Sequence, residues 1–214
     1  MADLYIESVT TSKSRVGNGV RRLVTGTRDG AIYVCDYITA LALEGKLFHV
    51  NHGTATTPIT FTAYDADRPD FTLDVPPGVA ALITRIQVYL EDSAGTDTEI
   101  IATTSSNVGG AGTSTVLTPL STRRNSGVSS ACGAYGTHTA NITLPANTIE
   151  FWRAGHAFAD AATQPPRLFE WVYTQGNPQV LVGPAGLQIH ISATTTQAAG
   201  FIKVSYAEFA SSEI

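Results

Sequence analysis

The run DFTLDVPPGVAALITRIQVYLED, residues 70–92, decides how this chain folds. Before its Pro-Pro-Gly triplet, Phe71, Leu73 and Val75 alternate with Thr72 and Asp74. After the triplet, Leu82, Thr84, Ile86, Val88 and Leu90 alternate with Ile83, Arg85, Gln87, Tyr89 and Glu91. A period of two sends successive side chains to opposite faces of a strand, so each run reads as a half-buried strand. Pro76 and Pro77 have no N–H to give to a ladder, and Gly78 permits a sharp turn, so the chain must turn or change sheets there. The row Leu82 to Leu90 is expected to face a core. The opposite row, Ile83, Arg85, Gln87, Tyr89 and Glu91, mixes an aliphatic, an aromatic and an arginine, a composition enriched at interfaces. Ile83, Arg85, Gln87 and Tyr89 are therefore the expected subunit contact, with cover from a second sheet or the long loop of the same chain as the alternative.

The same period governs much of the chain. PITFTAY alternates Ile59, Phe61 and Ala63 with threonines, and TANITLPA, TIEFWRAGHAFA, RLFEWVYT, LQIHISA and GFIKVSYAEF are strand-like, with turn-like LPANT, TQPP, QGNPQ and VGPAG near or between them. RRLVTGTRDGAIYVCDY reads as a hairpin about Asp29-Gly30. One segment, DYITALALEGK, is helical in pattern: Asp36 is a candidate cap, Ile38, Leu41 and Ala42 share a face, and Gly45 is a stop. Residues 1–20 are polar and read as an arm. Residues 103–138, beginning TTSSNVGGAGTST, lack periodicity and read as a long loop insertion. Eight to ten short strands with Gly/Pro punctuation and one short helix predict an all-β antiparallel sandwich of jelly-roll type, residues 21–214 forming one domain.

Composition narrows the function. The chain has 214 residues, 43% hydrophobic and only 14% charged, against about 25% charged in an average soluble domain. A surface rich in Thr, Ser, Ala and Gly suits packing against partners. The net charge of −5 argues against an extended nucleic-acid groove, and the pairs Arg21-Arg22 and Arg123-Arg124 are too isolated to supply one. No segment approaches the ~20 apolar residues of a membrane span. The first residues lack the basic start and apolar run of a signal peptide, so synthesis in a cytoplasm is expected and the sequon Asn141-Ile142-Thr143 is read as coincidental. Cys35 and Cys132, far apart and outside any C-x-x-C, are expected as buried free thiols, with a disulfide between them as the alternative.

Catalytic and metal patterns fail one after another. GVSSA, residues 127–131, ends in Ala and follows no buried strand, so it is no nucleophile elbow. His49 and His52 would share a face on a helix, but an extended segment points them apart; His138, His156 and His190 stand alone in sequence. Asp65, Asp67 and Asp70 occupy one loop, yet the sixth and twelfth positions of a calcium loop are Asp70 and Pro76 instead of Gly and Glu. The glycines of NVGGAG and VGNGV do not lead from a strand into a capped helix, so they form no phosphate loop. No catalytic residue, metal ligand or cofactor is assigned. Phe169, Trp171 and Tyr173 share one parity, as core-facing aromatics should; Trp152 and Trp171 are the contacts a sugar-stacking surface would use instead.

Residues 28–92 also carry a resemblance. ALEGKLFHVNHGT, TPITF and PDFTLDVPPG, with the closing GFIKVSYAEF, resemble small jelly-roll virion structural proteins, of capsid or decoration type, from phage-like and environmental viruses. The resemblance implies assembly in place of catalysis, commonly as a homotrimer or in a symmetric shell. It transfers no active-site residue. The expected function is thus a non-enzymatic virion protein, made in the host cytoplasm, whose partners are itself and other shell proteins. A carbohydrate- or receptor-binding module using Trp152 and Trp171 is the first alternative, and a cupin-like or hydrolytic enzyme the second.

Overall fold

A computed structural model describes residues 5–7, 21–23, 37–54, 56–61, 63–92, 97–109, 114–125, 127–142, 147–156, 167–174, 176–193 and 199–214. The hairpin expected about Asp29-Gly30, together with Cys35 and Asp36, lies outside them. Strands β1 (Tyr5–Glu7) and β2 (Arg21–Leu23) pair antiparallel, so part of the segment read as an arm is in a ladder. Helix α1 (Tyr37–Leu43) follows, then β3 (Leu47–His52), β4 (Ile59–Thr60), β5 (Phe71–Val75) and β6 (Val79–Asp92). Next come β7 (Thr98–Ser105), β8 (Thr115–Leu117), β9 (Leu120–Ser121), β10 (Gly133–Gly136) and β11 (Ile149–His156). Strands β12 (Arg167–Val172), β13 (Gln179–Val182), β14 (Ala185–Ala193) and β15 (Ala199–Ala210) complete the chain before a 3₁₀ turn, Ser211–Glu213.

The expected all-β sandwich is what forms. One sheet runs β11-β7-β14-β5-β10-β8; the other runs β12-β6-β15-β3-β9, with β13 beside β6 and β4 beside β15. Neighbouring strands in both sheets pair antiparallel. Between the sheets lie Phe71, Leu73 and Val75 from one side and Ile86, Val88, Ile202, Val204 and Tyr206 from the other, all closed to solvent. Each such side chain is worth ~1.5–3 kcal/mol of transfer free energy.

The Pro-Pro-Gly triplet performs the sheet change. The Val79 N–H bonds the Pro76 carbonyl at 3.2 Å and Gly78 has φ +84°, a four-residue turn with glycine where left-handed backbone is required. The chain thus leaves β5 in one sheet and enters β6 in the other. Helix α1 ends as its sequence requires. Gly45, at φ +78°, bonds the Ala42 carbonyl and Lys46 bonds that of Leu41, a Schellman closure. Leu41 then packs on Leu82, Ala207 and Phe209, covering part of the outer face of the β6–β15 sheet.

The parity of β6 breaks once. Arg85 pairs with Ser205 but Ile83 with Tyr206, so Thr84 is an extra residue, a bulge. Odd positions (Ala81, Ile83) face the core before it, even positions (Ile86, Val88, Leu90) after it. The Tyr173 N–H bonds the Thr84 carbonyl at 2.9 Å, and the neighbouring edge is split there into β12, along residues 85–90, and β13, along residues 80–83.

The segment read as a loop insertion is strapped to both sheets. Strand β7 runs through Ser105; β10 then pairs with β5 and β8, while β9 pairs with β3. Cys132 and Ala134 enter the core from this strap. It covers a strand edge on each sheet, edges that would otherwise present unpaired N–H and C=O groups.

Candidate functional site

The expected contact row lies on β6, and the bulge at Thr84 divides it. Ile83 is fully buried, paired with Tyr206 in the core, and does not belong to the row. This is a correction with a local cause: one inserted residue reverses the face of everything before it. Arg85, Gln87 and Tyr89 do face outward, but each has a partner within the chain. Arg85 Nε donates to Glu170 Oε1 at 2.5 Å, and Gln87 Nε2 donates to the same oxygen at 2.9 Å. Tyr89 stacks on Phe201 with ring centroids 4.8 Å apart. The open part of this face lies one strand further out. Leu168 and Val172 on β12 and Val180 and Val182 on β13 are 54%, 50%, 46% and 51% exposed. They are paired in register with Tyr89, Arg85, Leu82 and Ala80, and so lie on the outer face. Sequence reading missed them because RLFEWVYT draws the eye to its aromatics, which face inward.

The outer face of the other sheet is covered by loops, and His138 and His190 lie there. Thr72, Gln188 and His190 point away from the hydrophobic core yet are buried. Gln188 Nε2 donates to Ser105 Oγ at 2.8 Å, and Gly109 N–H donates to Asp74 Oδ1 at 2.9 Å. Thr72 Oγ1 lies 3.2 Å from His138 Nε2, and Tyr64 packs on the His190 ring at 5.1 Å. His52, at the end of β3, holds Thr137 Oγ1 at 2.8 Å. Gly136 must be glycine, because a Cβ there would meet the His52 ring at 2.5 Å. Thr137 itself sits at φ +51°, left-handed backbone that costs a β-branched residue ~1–3 kcal/mol. Of these residues His52, Thr137 and His138 line a cleft of ≈440 Å³, together with Asp65, Arg68 and Asp70.

Burial sets the charge state of the cleft. Desolvation, then the neighbouring His138, pushes His52 down to about 4. Desolvation does the same to His190, to about 4, against the opposing pull of Asp65. His138 is lowered by burial, and the Nδ1 atoms of His138 and His190 are enclosed without a hydrogen-bond partner. Burial lifts Asp70 to about 7 even though its Oδ2 accepts the Ile191 N–H at 2.7 Å. The Thr137–His52 contact has the form of a hydroxyl beside a base. An imidazole held near 4 is a poor base at neutral pH, however, and among the described residues no carboxylate hydrogen-bonds its ring. The cleft therefore stores neutral imidazoles more readily than it transfers protons.

The remaining candidates are structural. Asp65 forms a turn, accepting the Asp67 N–H at 3.0 Å and pairing with Arg68 at 3.5 Å. Among the described residues no three His, Cys, Asp or Glu side chains are grouped to hold a metal ion. His49 and His52 face opposite sides of β3, and the side chain of His156 lies outside the description. In GVSSA, Ser130 Oγ donates to Glu208 Oε2 at 2.6 Å and touches Tyr206 Oη at 2.7 Å, pinning the strap to β15. Cys132 is a free, buried thiol whose ionisation is pushed up by desolvation and by Glu208. Trp171 is 9% exposed, edge-on to Phe151 at 5.4 Å, and Trp152 is half-buried against the same core. Trp171 offers no open face for stacking a sugar, and Trp152 is partly covered. No helix among the described residues is long and apolar enough to cross a membrane. Comparison of the chain with protein-family models, curated proteins and solved structures finds no match.

Proposed function

We propose that this chain is a non-enzymatic structural subunit that self-associates, of the kind that builds or decorates virion shells. The observation that carries the reading is the aliphatic row Leu168, Val172, Val180 and Val182, half-exposed on the outer face of two edge strands and continuous with the Tyr89–Phe201 stack. Four such side chains in one patch, against a background poor in charge, suit a protein neighbour better than water. The occupant we assign is a second copy of the chain, since symmetric assemblies reuse one patch around an axis; a homotrimer is the size that the resemblance to jelly-roll virion proteins implies.

The chain path supports the same reading. We read the strand order β3-β15-β6-β12 facing β5-β14-β7-β11 as a jelly roll, with the β8–β10 strap as an addition to it. That architecture serves capsid subunits, lectins and cupins alike, so it does not choose among them alone. The burial of Trp171 weakens support for the lectin-like alternative, and the inward faces between the sheets are lined with aliphatic and aromatic residues.

Light scattering on the purified chain, with native mass spectrometry, should give a single closed homo-oligomer. The double variant Val172→Asp/Val180→Asp should shift it to monomer while the circular dichroism spectrum is unchanged. A wild-type chain that is monomeric at all accessible concentrations, and absent from purified particles, would overturn the proposal.

A further inference from the structure

Opposite the aliphatic row, at the β3–β9 edge, the same sheet gathers positive charge. Lys46, Arg68, Arg85 and Arg153 each hold a carboxylate. Arg123, Arg124 and Lys203 hold none among the described residues. Arg123 and Arg124 line a cavity of ≈270 Å³ with His49, Leu120 and Asn125. Lys203 lies on the His49 face of the sheet, since Lys203 pairs with Asn51 and Ser205 with His49. Lys203 and Arg124 also press on the imidazole: His49 is lowered by burial first, then by these two cations.

The cations are presented on a fixed frame. Thr122 bonds the Leu47 carbonyl through its N–H at 2.9 Å and through Oγ1 at 3.2 Å. Ser121 Oγ donates to the Gly45 carbonyl at 3.3 Å and accepts the Arg123 N–H at 3.2 Å. One guanidinium nitrogen of Arg123 donates to the Leu43 carbonyl at the end of α1, 3.1 Å away. Arg123 and Arg124 at the cavity wall and Lys203 near His49 repel one another, and an anion in the cavity relieves that cost. The cavity equals about nine water volumes at ≈30 Å³ each, room for a small anion and part of its hydration shell. A flat carboxylate is satisfied by a single arginine fork; a cavity walled by two arginines, with Lys203 acting on the same His49, suits a doubly charged tetrahedral group.

We propose that this cavity binds a doubly charged oxyanion of the phosphate or sulfate class, held by Arg123, Arg124 and Lys203 beside His49. The site is independent of the assembly reading and stands or falls separately. The test is calorimetric titration of the full chain with sodium sulfate, inorganic phosphate and a small phosphate monoester, ionic strength being held constant with chloride. Binding should saturate at one site per chain. Arg124→Ala and Lys203→Ala should each weaken it about tenfold with melting temperature unchanged, while Arg153→Ala leaves it intact. Tighter binding of the monoester than of the free ion would identify an organic phosphate as the ligand; equal binding would identify the free ion. In parallel, the NMR titration midpoint of His49 should rise when the anion is bound, by linkage. Heat that fails to saturate by ~10 mM anion, or binding equal in wild type and both variants, would overturn the proposal.

Discussion

Ile83 shows how much one residue's placement decides. Its side chain is closed off beneath Tyr206, whereas Arg85, two positions on, is half-exposed. Truncation to Ile83→Ala should therefore cost ~2–5 kcal/mol in chemical denaturation, the range for emptying a well-packed core site. Arg85→Ala should cost under ~1 kcal/mol, since its pair with Glu170 is open to solvent. Equal losses for the two would contradict the bulge at Thr84. That bulge was not legible in the sequence: TRIQVYLED alternates without interruption, and nothing in LITRI marks an extra residue. It arises from pairing with β15, a relation between segments more than a hundred positions apart. Gly136 makes a similar point by steric means. Gly136→Ala would drive a methyl into the His52 ring and should cost ~1–3 kcal/mol, read as a lower denaturation midpoint with an unchanged slope.

At the scale of elements, the loops over the β5–β14 face join distant parts of the sequence into one polar layer. Residues 63–70 bring Tyr64 and Asp70, residues 137–142 bring Thr137 and His138, and His52 meets Thr137 from the core-facing side of β3. His138 and His190 were read alone, and His52 only beside His49, because no spacing in the sequence links the three; only the fold makes them neighbours. The pH consequences follow from the direction of each shift. His52 and His190 are held at about 4, below the ordinary 6.5, so the folded form resists their protonation. Their contribution is complete above pH 6.5 and is lost as pH falls from there toward 4. Asp70 runs the other way: raised to about 7, it contributes fully below the ordinary carboxylate range and loses that contribution as pH rises through 7. The two windows overlap: between about pH 4 and 7 the growing contribution of the histidines opposes the shrinking one of Asp70. Asp70→Asn, which keeps an oxygen for the Ile191 N–H, should therefore steepen the rise of melting temperature with pH across that window. An unchanged slope in that variant would mean that Asp70 does not titrate there.

For the whole molecule, the sandwich was legible because its determinants are local: two-residue alternation, the Pro76-Pro77-Gly78 corner and the Gly45 stop each act within a few residues. The exposed row was not, because its four members come from two short strands whose registers against β6 depend on the bulge between them. A strand edge bearing Leu168, Val172, Val180 and Val182 is also a hazard, since open edges recruit other chains indiscriminately. Regular assembly turns that hazard into specific burial, and it makes stability depend on concentration. If a second copy covers the row, only the folded oligomer gains that burial. Melting temperature should then rise with protein concentration by mass action. Val172→Asp/Val180→Asp should abolish the concentration dependence and melt, at every concentration, near the value that dilute wild type approaches. A wild-type melting temperature constant over a hundredfold range of concentration, with scattering showing monomer throughout, would mean that the row is not covered by a second copy.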